Sequence, residues 1–317
     1  MSFVWKEREE VSISAILTSD LHLREDTPVC RTDDFQRTLQ RKLDWLSELQ
    51  QSYGGVPILD AGDLFHHWKP SPALLSWVML NLPRPFITVP GNHDMPQHNL
   101  SLLRTSGLYT LAVSTSIQML TGELPLWDDD LPFDVYVIPW GAAGLHPDCP
   151  EPRKHRKKVL LYHGLTYVGP APYPGAEKEG LSASRLLDKF PQFDLIVSGH
   201  YHSGFCCTSE DGKRLLVNPG GIARTTADEI DRQPYVYLWD TEQNSVMPVA
   251  VPIEEGVILR DHIERQEQRN GRMDAFLSRM SQSVEIQLSF RENLQRYMAQ
   301  NEISQMVQQE VWRCLES

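Results

Sequence analysis

The chain has 317 residues, of which 41% are hydrophobic and 23% are charged, a balance that is ordinary for a globular protein. Its net charge of -12 argues against a protein that coats nucleic acid through bulk charge, but it leaves room for a nuclease with a local binding site. No run approaches eighteen apolar residues and no apolar signal sequence is seen, so we expect a cytoplasmic protein without membrane contact. The five cysteines include no CxxC pair, which also favours reduced thiols in a cytoplasm.

Short apolar runs rich in Ile, Leu and Val recur along the chain, and each ends in polar residues. They are ISAILTSD (13–20), VPILDAGD (56–63), PFITVPGNHD (85–94), KVLLYHG (158–164) and FDLIVSGHYH (193–202). The apolar parts are too short for helices and predict buried strands. Helical patterns lie between them, at 182–190 and at 32–50, where leucines share one face behind the cap candidates Thr32 and Asp33. Strands that alternate with helices predict a layered α/β domain, which binds ligands at the carboxyl ends of its strands.

The pattern changes after Gly212. The segments RLLVNPGG (214–221), PYVYLWD (234–240) and SVMPVAVPIE (245–254) predict antiparallel strands that close a second sheet. From about residue 256 glycine and proline nearly vanish and charges of both signs alternate. Segments 274–280 and 301–315 have helical patterns, whereas 283–299 first alternates like a strand and then becomes helical in pattern. We therefore predict a main domain over residues 1–255 and a small, mostly helical C-terminal appendage over 256–317.

The polar residues at the predicted strand ends form five blocks of metal-ligand types. A lone DxH or GD occurs by chance in many chains, and a lone buried histidine is more often a core residue than a ligand. Five blocks in this order, each closing a predicted strand, instead predict one metal site. The blocks are DLH with Asp20 and His22, GD with Asp63, GNHD with Asn92, His93 and Asp94, YHG with His163, and GHYH with His200 and His202.

The residue types indicate which ions such a site would hold. Carboxylates, an amide oxygen and imidazoles form a mixed set that suits Mn, Fe, Zn or Co and has too much nitrogen for Ca or a dedicated Mg site. Two ions about 4 Å apart and bridged by a carboxylate can lower the pKa of a shared water and clamp a phosphate for in-line attack. The spacing of DxH and HxH turns both side chains of each pair to one side of an extended segment. Glycines before Asp63, Asn92 and His200 permit backbone turns that a Cβ would obstruct.

The five blocks resemble the pattern of the calcineurin-like metallophosphoesterases, which is DxH, GD, GNHD/E, H and GHxH, over about residues 13–221. The resemblance implies a four-layer αββα sandwich with a dinuclear metal site at one edge of a catalytic domain. Mn is the favoured metal for both ions of this site. It implies that His93 is the general acid or phosphate stabiliser and that Asp94 orients His93 by a hydrogen bond. By the same resemblance one metal is held by Asp20, His22, Asp63 and His202, and the other by Asp63, Asn92, His163 and His200.

The stretch GDLFHHWKPS (62–71) narrows the resemblance. Protein Ser/Thr phosphatases carry GDYVDRG-like residues after the bridging aspartate, and this chain does not. The stretch instead resembles the GDLFH and (K/R)PS block of the SbcD-type double-strand-break-repair nucleases. In that family the histidine after GDLF lies beside the metals and helps to position the phosphate, which implies this role for His66. Lys69, Pro70 and Ser71 would then turn into the following helix, and His67, which has no counterpart, is assigned to the surface.

Three functions remain open on the sequence. The favoured one is a Mn-dependent DNA exonuclease or endonuclease of DNA repair or processing, in which His93 assists a metal-activated water. The second is a phosphatase or cyclic-nucleotide phosphodiesterase for a small molecule or an RNA end, for which residues 114–134 could form a lid or, equally, a hairpin. The third is a binding protein with a dead site, which the intact ligand set argues against. The basic run RKHRKK (153–158) is either a solvated loop or a contact to backbone phosphates.

The C-terminal tail, residues 256–317, indicates which partners the protein could bind. The SbcD-type nucleases carry a DNA-capping domain and usually a helical segment that binds a coiled-coil ATPase, and the roughly sixty residues after 256 are too few for both. With eight Arg and nine Asp or Glu, the tail is not a DNA-binding arm. Its apolar side chains would be buried against the catalytic domain or against another chain, in a homodimer or on an SbcC-like ATPase. They are Phe276, Leu277, Met280, Ile303, Met306, Val307, Val311 and Trp312.

Overall fold

Strands and helices alternate along the part of the chain that the computed structural model describes, residues 12–147, 149–259, 290–301 and 303–316. The chain divides into two compact units, Met1–Leu259 and Arg260–Ser317. The strands are β1 (Ile13–Thr18), β2 (Ile58–Asp60), β3 (Phe86–Thr88), β4 (Gln118–Met119), β5 (Phe133–Ile138), β6 (Lys157–His163), β7 (Thr166–Tyr167), β8 (Leu181–Ser182), β9 (Leu195–Gly199), β10 (Phe205–Thr208), β11 (Leu215–Asn218), β12 (Tyr235–Asp240) and β13 (Ser245–Ala250). The helices are α1 (Phe35–Ser52), α2 (Pro72–Asn81), α3 (Gly107–Val113), α4 (Ala176–Glu179), α5 (Ala183–Lys189), α6 (Phe290–Gln300) and α7 (Gln305–Glu316). Short 3-10 turns span Pro96–His98, Leu100–Thr105 and Ala227–Glu229.

The longer strands form two mixed sheets. The first has the order β13-β12-β1-β2-β3-β4, and the second has the order β10-β11-β9-β6-β5. Strands β1, β2 and β3 run parallel to one another, and so do β5, β6, β9 and β11. The carboxyl ends of the parallel strands therefore lie along one edge of each sheet, which is where α/β domains bind ligands.

Apolar side chains on both faces of each sheet produce four layers. Leu17 of β1 packs in one core with Val137 of β5, which joins the two sheets face to face. Ile16 points to the opposite face of β1 and packs in a second core with α1, α2 and α3. Leu160 of β6 packs with α5 on the outer face of the second sheet. Because these strands are buried on both faces, they are continuous apolar runs in the sequence, and the predicted αββα layering is confirmed.

Helix α1 confirms the prediction of a helix with a leucine face. Leu39, Leu43 and Leu46 are buried on the side that packs against the first sheet. The helix begins after Asp34, whose side chain accepts the backbone N–H of Arg37 at 3.1 Å, one residue later than the predicted caps. The helix predicted at 182–190 is α5.

The prediction for the segments after Gly212 is partly wrong. Strands β12 and β13 form the expected antiparallel pair, but β12 pairs with β1 and so extends the first sheet. Strand β11 is antiparallel to β10 and parallel to β9 in the second sheet. The alternation of a strand shows which faces are buried, whereas its partner depends on how the chain crosses over the sheet.

The second unit is described by α6 and α7, so the helices expected in residues 290–299 and 301–315 are present. The Arg291 guanidinium carbon lies 5.1 Å from the ring centre of Trp312, which links α6 to α7 by a cation–π contact. Met298 of α6 is buried. The helix predicted at 274–280 and the strand-like residues 284–289 lie outside the described residues.

All five cysteines are described, and none of them forms a disulfide. Cys30 is buried, and its thiol donates to the Thr225 carbonyl at 3.2 Å. Among the described residues, no helix has the length and apolarity that a membrane span needs.

Candidate metal centre

The predicted site residues follow the carboxyl ends of β1, β2, β3, β6 and β9, and the structure brings them together. Donor atoms that lie within 4.8 Å of one another form three groups among the described residues. Imidazoles and carboxylates at such short mutual distances are the arrangement that a transition-metal site requires. The groups are Asp20, His22 and His202; Asp63, His163 and His200; and His22, His66 and His93.

The first group is built around a short contact between two imidazoles. The Nε2 atoms of His22 and His202 lie 3.0 Å apart, and Asp20 Oδ1 lies 3.9 Å from His22 Nε2. The other ring nitrogen of His22, Nδ1, is buried and has no hydrogen-bond partner among the described residues. The His202 side chain is 38% exposed, so solvent reaches this group. Two ring nitrogens and a carboxylate that converge on one point, beside an unpaired buried nitrogen, fit a divalent cation.

The second group adds the amide oxygen of Asn92. This oxygen lies 3.1 Å from Nε2 of His163 and 2.9 Å from Nδ1 of His200. The Nδ1–H of His163 donates to the Ala61 carbonyl at 2.6 Å, so its Nε2 atom points into the group. An imidazole whose second nitrogen is held by a backbone carbonyl is the usual arrangement of a metal-ligating histidine.

Asp63 lies between the two groups. Its Oδ2 atom is 3.8 Å from Nε2 of His22 and 3.4 Å from Nε2 of His163. Its Oδ1 atom accepts the backbone N–H of His93 at 2.8 Å. A Cβ at Gly91 would overlap the Asp63 carboxylate, so this close approach requires glycine. One carboxylate within reach of both groups has the position that a bridging ligand needs.

Several residues of the centre adopt a left-handed backbone. The φ angle is +51° at Asp20, +45° at His22, +57° at Asp63 and +86° at His200. Such angles are uncommon outside glycine and persist only where the surrounding structure holds them. The prediction that DxH is an extended segment is therefore wrong, since Asp20 and His22 meet across a left-handed turn.

The predicted hydrogen bond from Asp94 to His93 is also wrong. The buried Asp94 carboxylate instead accepts the backbone N–H groups of Asp63 at 2.9 Å and Phe65 at 3.0 Å. The Nδ1–H of His93 donates to the His66 carbonyl at 2.8 Å. Asp94 thus fixes the loop that carries Asp63, and the main chain of that loop orients the His93 ring.

His66 lies at the open side of the centre. Its ring centre is 5.6 Å from that of His22, and it stacks on His93 at 5.5 Å. Burial is the main reason that the pKa of His66 falls to about 4, so its ring is neutral near pH 7. His67 is exposed, and Ser71 caps α2 as the predicted turn into a helix required.

Charges within the centre depend on one another. Burial opposes a charge on His163, but the Asp63 carboxylate outweighs it and raises the pKa of His163 to about 9. Burial, with the nearby charge of His163, lowers the pKa of His200 to about 4. The carboxylates that hold a proton on His163 would hold a divalent cation at that place, with every imidazole neutral.

The basic run lies away from the centre. Arg153 and Arg156 both donate to the buried carboxylate of Asp134 at 2.9 Å, and Lys157 pairs with Asp194 at 3.4 Å. These residues precede or begin β6, whereas His163 ends it, about 20 Å further along at the usual rise of a strand. The paired side chains of the run therefore lie too far from His163 to contact a phosphate bound at the centre.

Trp140 is part of the centre and was missed by sequence reasoning. Its ring centre lies 4.6 Å from that of His200, with the two rings tilted by 33°, and 6.2 Å from that of His163. Its backbone N–H donates to the Pro90 carbonyl at 3.2 Å, just before the GNHD block. The available signal was the apolar run FDVYVIPWG (133–141), which forms β5 and ends at Trp140 in the way that the other runs end at ligands.

The donor set fits two divalent metal ions. When bound, such ions supply Lewis acidity and lower the pKa of a coordinated water. The two ligand sets implied by the resemblance meet at Asp63, and the described distances bring the members of each set together. The role of each ligand remains a prediction, tested by the substitutions below.

A family model and several solved structures resemble this chain. Residues 13–204 match the family model described as calcineurin-like phosphoesterase. A dimetal phosphatase from Danio rerio is 11% identical, with 77% of this chain and 100% of that chain covered and a TM-score of 0.46. A metallophosphoesterase from Sphaerobacter thermophilus is 14% identical, with 81% and 94% covered and a TM-score of 0.37. The calcineurin-like phosphoesterase YfkN from Bacillus subtilis is 13% identical, with 81% and 97% covered and a TM-score of 0.41.

No curated protein matched the sequence. The family match spans the ligand-bearing blocks from Asp20 to His202. The chain therefore belongs to the calcineurin-like phosphoesterases, a family of hydrolases that act on phosphoesters with two divalent metal ions.

Proposed function

We propose that this phosphoesterase is a Mn-dependent phosphodiesterase that cuts DNA, an exonuclease or endonuclease of the SbcD type. Family membership supplies the reaction class, which is metal-dependent hydrolysis of a phosphoester. The narrower proposal adds DNA as the substrate and Mn as the metal. It rests on the stretch GDLFHHWKPS and on where His66 lies.

The position of His66 is the observation that carries the proposal. Its ring lies against His22 and stacks on His93, and its carbonyl accepts the Nδ1–H of His93. The loop after Asp63 is thereby part of the centre. A substrate phosphate at the open side would meet His66 and His93 together, which is the role that the GDLFH resemblance implies for this histidine.

His93 has the geometry of a group that acts on the substrate. Its Nδ1–H is used by the His66 carbonyl, so Nε2 is the ring atom left for the substrate. A proton held at Nε2 can stabilise the charge that develops on the phosphoryl oxygens or pass to the leaving oxygen. Asp94 affects the substrate indirectly, because its carboxylate holds the loop that presents both Asp63 and His66.

The competing function, hydrolysis of a small phosphate ester, would be favoured by a lid over the centre. Residues 114–134 were the candidate for that lid. Leu126 instead pairs with Val135 of β5 in both directions, with N···O distances of 2.9 and 3.1 Å. This part of the segment extends the second sheet like a hairpin, which supports an open centre and a polymeric substrate.

A substrate panel tests the proposal. The panel contains linear duplex, single-stranded and hairpin DNA, a 2′,3′-cyclic nucleotide and a chromogenic phosphodiester, each with Mn and with EDTA. We expect cleavage of DNA and of the chromogenic diester with Mn, and none with EDTA. Turnover in excess chelator after dialysis would contradict the metal dependence. Hydrolysis of the cyclic nucleotide without cleavage of any DNA would favour the competing function.

His66→Ala tests the observation on which the proposal rests. DNA cleavage should fall by about a hundredfold, the effect of losing one group that contacts the phosphate, while the small chromogenic ester is affected less. His155→Asn is the control, because it removes an exposed imidazole at the amino end of β6. Wild-type rates of His66→Ala on every substrate would return the stretch 62–71 to the status of a surface loop.

The proposed partners are DNA and a second protein chain, either another copy or an SbcC-like ATPase. The observation in favour is an apolar surface on the appendage. Met306 and Val307 of α7 are 81% and 51% exposed, and Tyr297 of α6 is 60% exposed. A solvated pair of helices does not need such side chains, whereas a helical contact with another chain would bury them.

A further inference from the structure

A small crevice of about 160 Å³ lies beside the metal centre. It is formed by two loops, one that follows His22 and one that runs from His66 into α2. His66 belongs to both places, because it lines the crevice and also contacts the rings of His22 and His93. A ligand in the crevice would therefore be next to a phosphate bound at the open side of the centre.

The walls of the crevice are continuous with the metal ligands. The two loops run side by side as a short parallel ladder, in which the N–H of His22 donates to the Asp63 carbonyl at 3.0 Å. The N–H of Leu23 donates to the Leu64 carbonyl at 2.8 Å, and the N–H of His66 donates back to the Leu23 carbonyl at 3.1 Å. This ladder fixes the crevice relative to the centre before any substrate binds.

The polar groups of the crevice are mostly paired within the protein. Arg24 donates to Asp26 with an Nε–Oδ1 distance of 2.9 Å, and the Ser71 hydroxyl donates to the Glu25 carboxylate. Lys69 has no ion pair within the described part of the chain. Its Nζ atom lies 6.0 Å from the ring centre of Trp68, in a cation–π contact. Two cations and two carboxylates cancel, so the crevice offers donors and acceptors but no net charge for a phosphate.

The size and lining of the crevice suit one planar ring. Leu23 and Leu74 are buried and contribute apolar side chains to the lining, to which His66 and His67 add two imidazoles. An apolar protein cavity of about 150 Å³ admits a single benzene ring, which is close to the volume found here. Flat apolar walls with a polar rim recognise a heteroaromatic ring by stacking and by hydrogen bonds to its edge.

We infer that this crevice binds the base of the nucleotide that adjoins the scissile phosphate. The inference rests on the proposed phosphodiesterase function and assigns one subsite to it. His67 supplies a stacking wall, and Lys69 supplies a donor to the edge of the base. The crevice thus gives His67, which the sequence assigned to the surface without a role, a place in substrate recognition.

The test compares diesters that share p-nitrophenol as the leaving group. They are methyl p-nitrophenyl phosphate, the p-nitrophenyl esters of thymidine 5′-phosphate and 3′-phosphate, and the matching deoxyribose esters without a base. We expect kcat/KM with Mn to be about 5- to 160-fold higher for one thymidine isomer than for the methyl ester, the range that one stacked base contributes. The esters without a base should lose most of this preference.

His67→Ala and Lys69→Ala should each reduce the thymidine-to-methyl ratio, with His67→Ala bringing it towards one. Because the ratio is taken within each variant, a change in metal content or folded fraction cancels. Lys154→Ala is the control, since it removes an exposed lysine near the amino end of β6 and should leave the ratio unchanged.

Two results overturn the inference, and they are distinguishable. Hydrolysis of all esters at equal kcat/KM, or a preference that survives in both variants, rejects the base subsite and leaves the phosphodiesterase proposal standing. p-Nitrophenyl phosphate is assayed alongside as a monoester, and its hydrolysis with Mn without hydrolysis of any diester rejects the proposed function and the subsite with it.

Discussion

Asp63 is the residue on which the two halves of the centre depend. Its carboxylate lies between His22 and His163, and the Asp94 carboxylate holds its backbone N–H. Asp63 stays ionised because the surrounding imidazoles, with His163 nearest, outweigh its burial and lower its pKa. A charged, backbone-anchored carboxylate within reach of His22 and His163 is the side chain whose loss we expect to affect both metal sites.

Asp63→Asn should remove both metals and reduce hydrolysis to background. The amide keeps the size of the side chain but removes the negative charge that two neighbouring cations would share. Metal analysis after gel filtration measures the bound ions, which should fall from about two to near zero per chain. Retention of one ion would show that the bridge is unnecessary for one group.

His93→Ala should separate catalysis from metal binding. Turnover should fall by about 10²- to 10⁴-fold, the contribution of a positioned acid or base, while the metal content stays near that of wild type. Loss of both metals in His93→Ala would show that His93 is a ligand and that the assigned role is wrong.

Asp94→Ala is the contrasting variant. It leaves buried N–H groups of Asp63 and Phe65 unpaired and should lower the free energy of unfolding by ~3 kcal/mol, measured by urea denaturation.

The residues that could be predicted are those that end an apolar run. Asp20, Asn92 and His200 each follow a predicted strand, and the carboxyl ends of parallel strands lie along one edge of their sheet, where ligands bind. The partners of Asp94 could not be predicted, because backbone N–H groups carry no sequence signal. The same holds for the left-handed φ of His22, which depends on the tertiary structure and on no residue type nearby.

At the scale of elements, helix α1 shows what its apolar pattern predicts correctly and what it does not. The leucine spacing predicts its apolar face, yet Lys42 on the same helix is also buried, at 3% exposure. Its ammonium group donates to the Pro252 carbonyl at 2.6 Å, so it pairs with the segment that follows β13. Helical periodicity predicts that a lysine faces solvent. Lys42 is buried instead because the Pro252 carbonyl, which belongs to another part of the chain, accepts a hydrogen bond from its ammonium group.

Lys42 should make the stability of the protein depend on pH in the alkaline range. Burial lowers the pKa of Lys42 from 10.5 to about 8, although Glu254 opposes the shift. Between pH 8 and 10.5 the unfolded chain therefore binds more protons than the folded chain, so the free energy of unfolding rises with pH. The contribution is at most about 3 kcal/mol, and it is absent at pH 7, where the lysine is protonated in both states.

Lys42→Met provides the reference for this effect. Urea denaturation at pH 7, 8.5 and 10 gives the free energy of unfolding of the wild type and of Lys42→Met. The contributions of all other titrating groups cancel in the difference between the two proteins. The free energy of unfolding of the wild type should rise relative to that of the variant as the pH rises, by about 2.5 kcal/mol at pH 10. Parallel curves would mean that Lys42 keeps its ordinary pKa in the folded chain.

At the scale of the whole molecule, the chain divides into two compact units after Leu259, and the domain boundary after residue 255 stays a prediction. Residues 257–259 belong with the catalytic unit by their hydrogen bonds. The N–H of Thr32 donates to the Val257 carbonyl at 3.0 Å, and the N–H of Leu259 donates to the Cys30 carbonyl at 2.8 Å. The sequence marks where glycine and proline disappear, whereas this pairing depends on residues more than two hundred positions apart. A truncation that tests the appendage should therefore end at Leu259.

The appendage should be required for association with a second chain and dispensable for the chemistry. The chain ending at Leu259 keeps every residue of the metal centre, so it should hydrolyse the methyl ester at close to the wild-type rate. If α7 contacts another copy, light scattering should show a dimer for the full chain and a monomer for the truncated one.

Val307→Glu in the full chain is the sharper form of this test. It places a charge on the apolar side of α7, where Val307 is 51% exposed, and should weaken the dimer. Gln309→Glu adds the same charge to the polar side of the helix and should leave the dimer intact. A truncated chain that keeps its oligomeric state and still cuts DNA would refute the role in self-association. The full chain could instead be a monomer that binds a coiled-coil ATPase. If Val307→Glu weakens that complex, the apolar side of α7 contacts the ATPase and not a second copy of the chain.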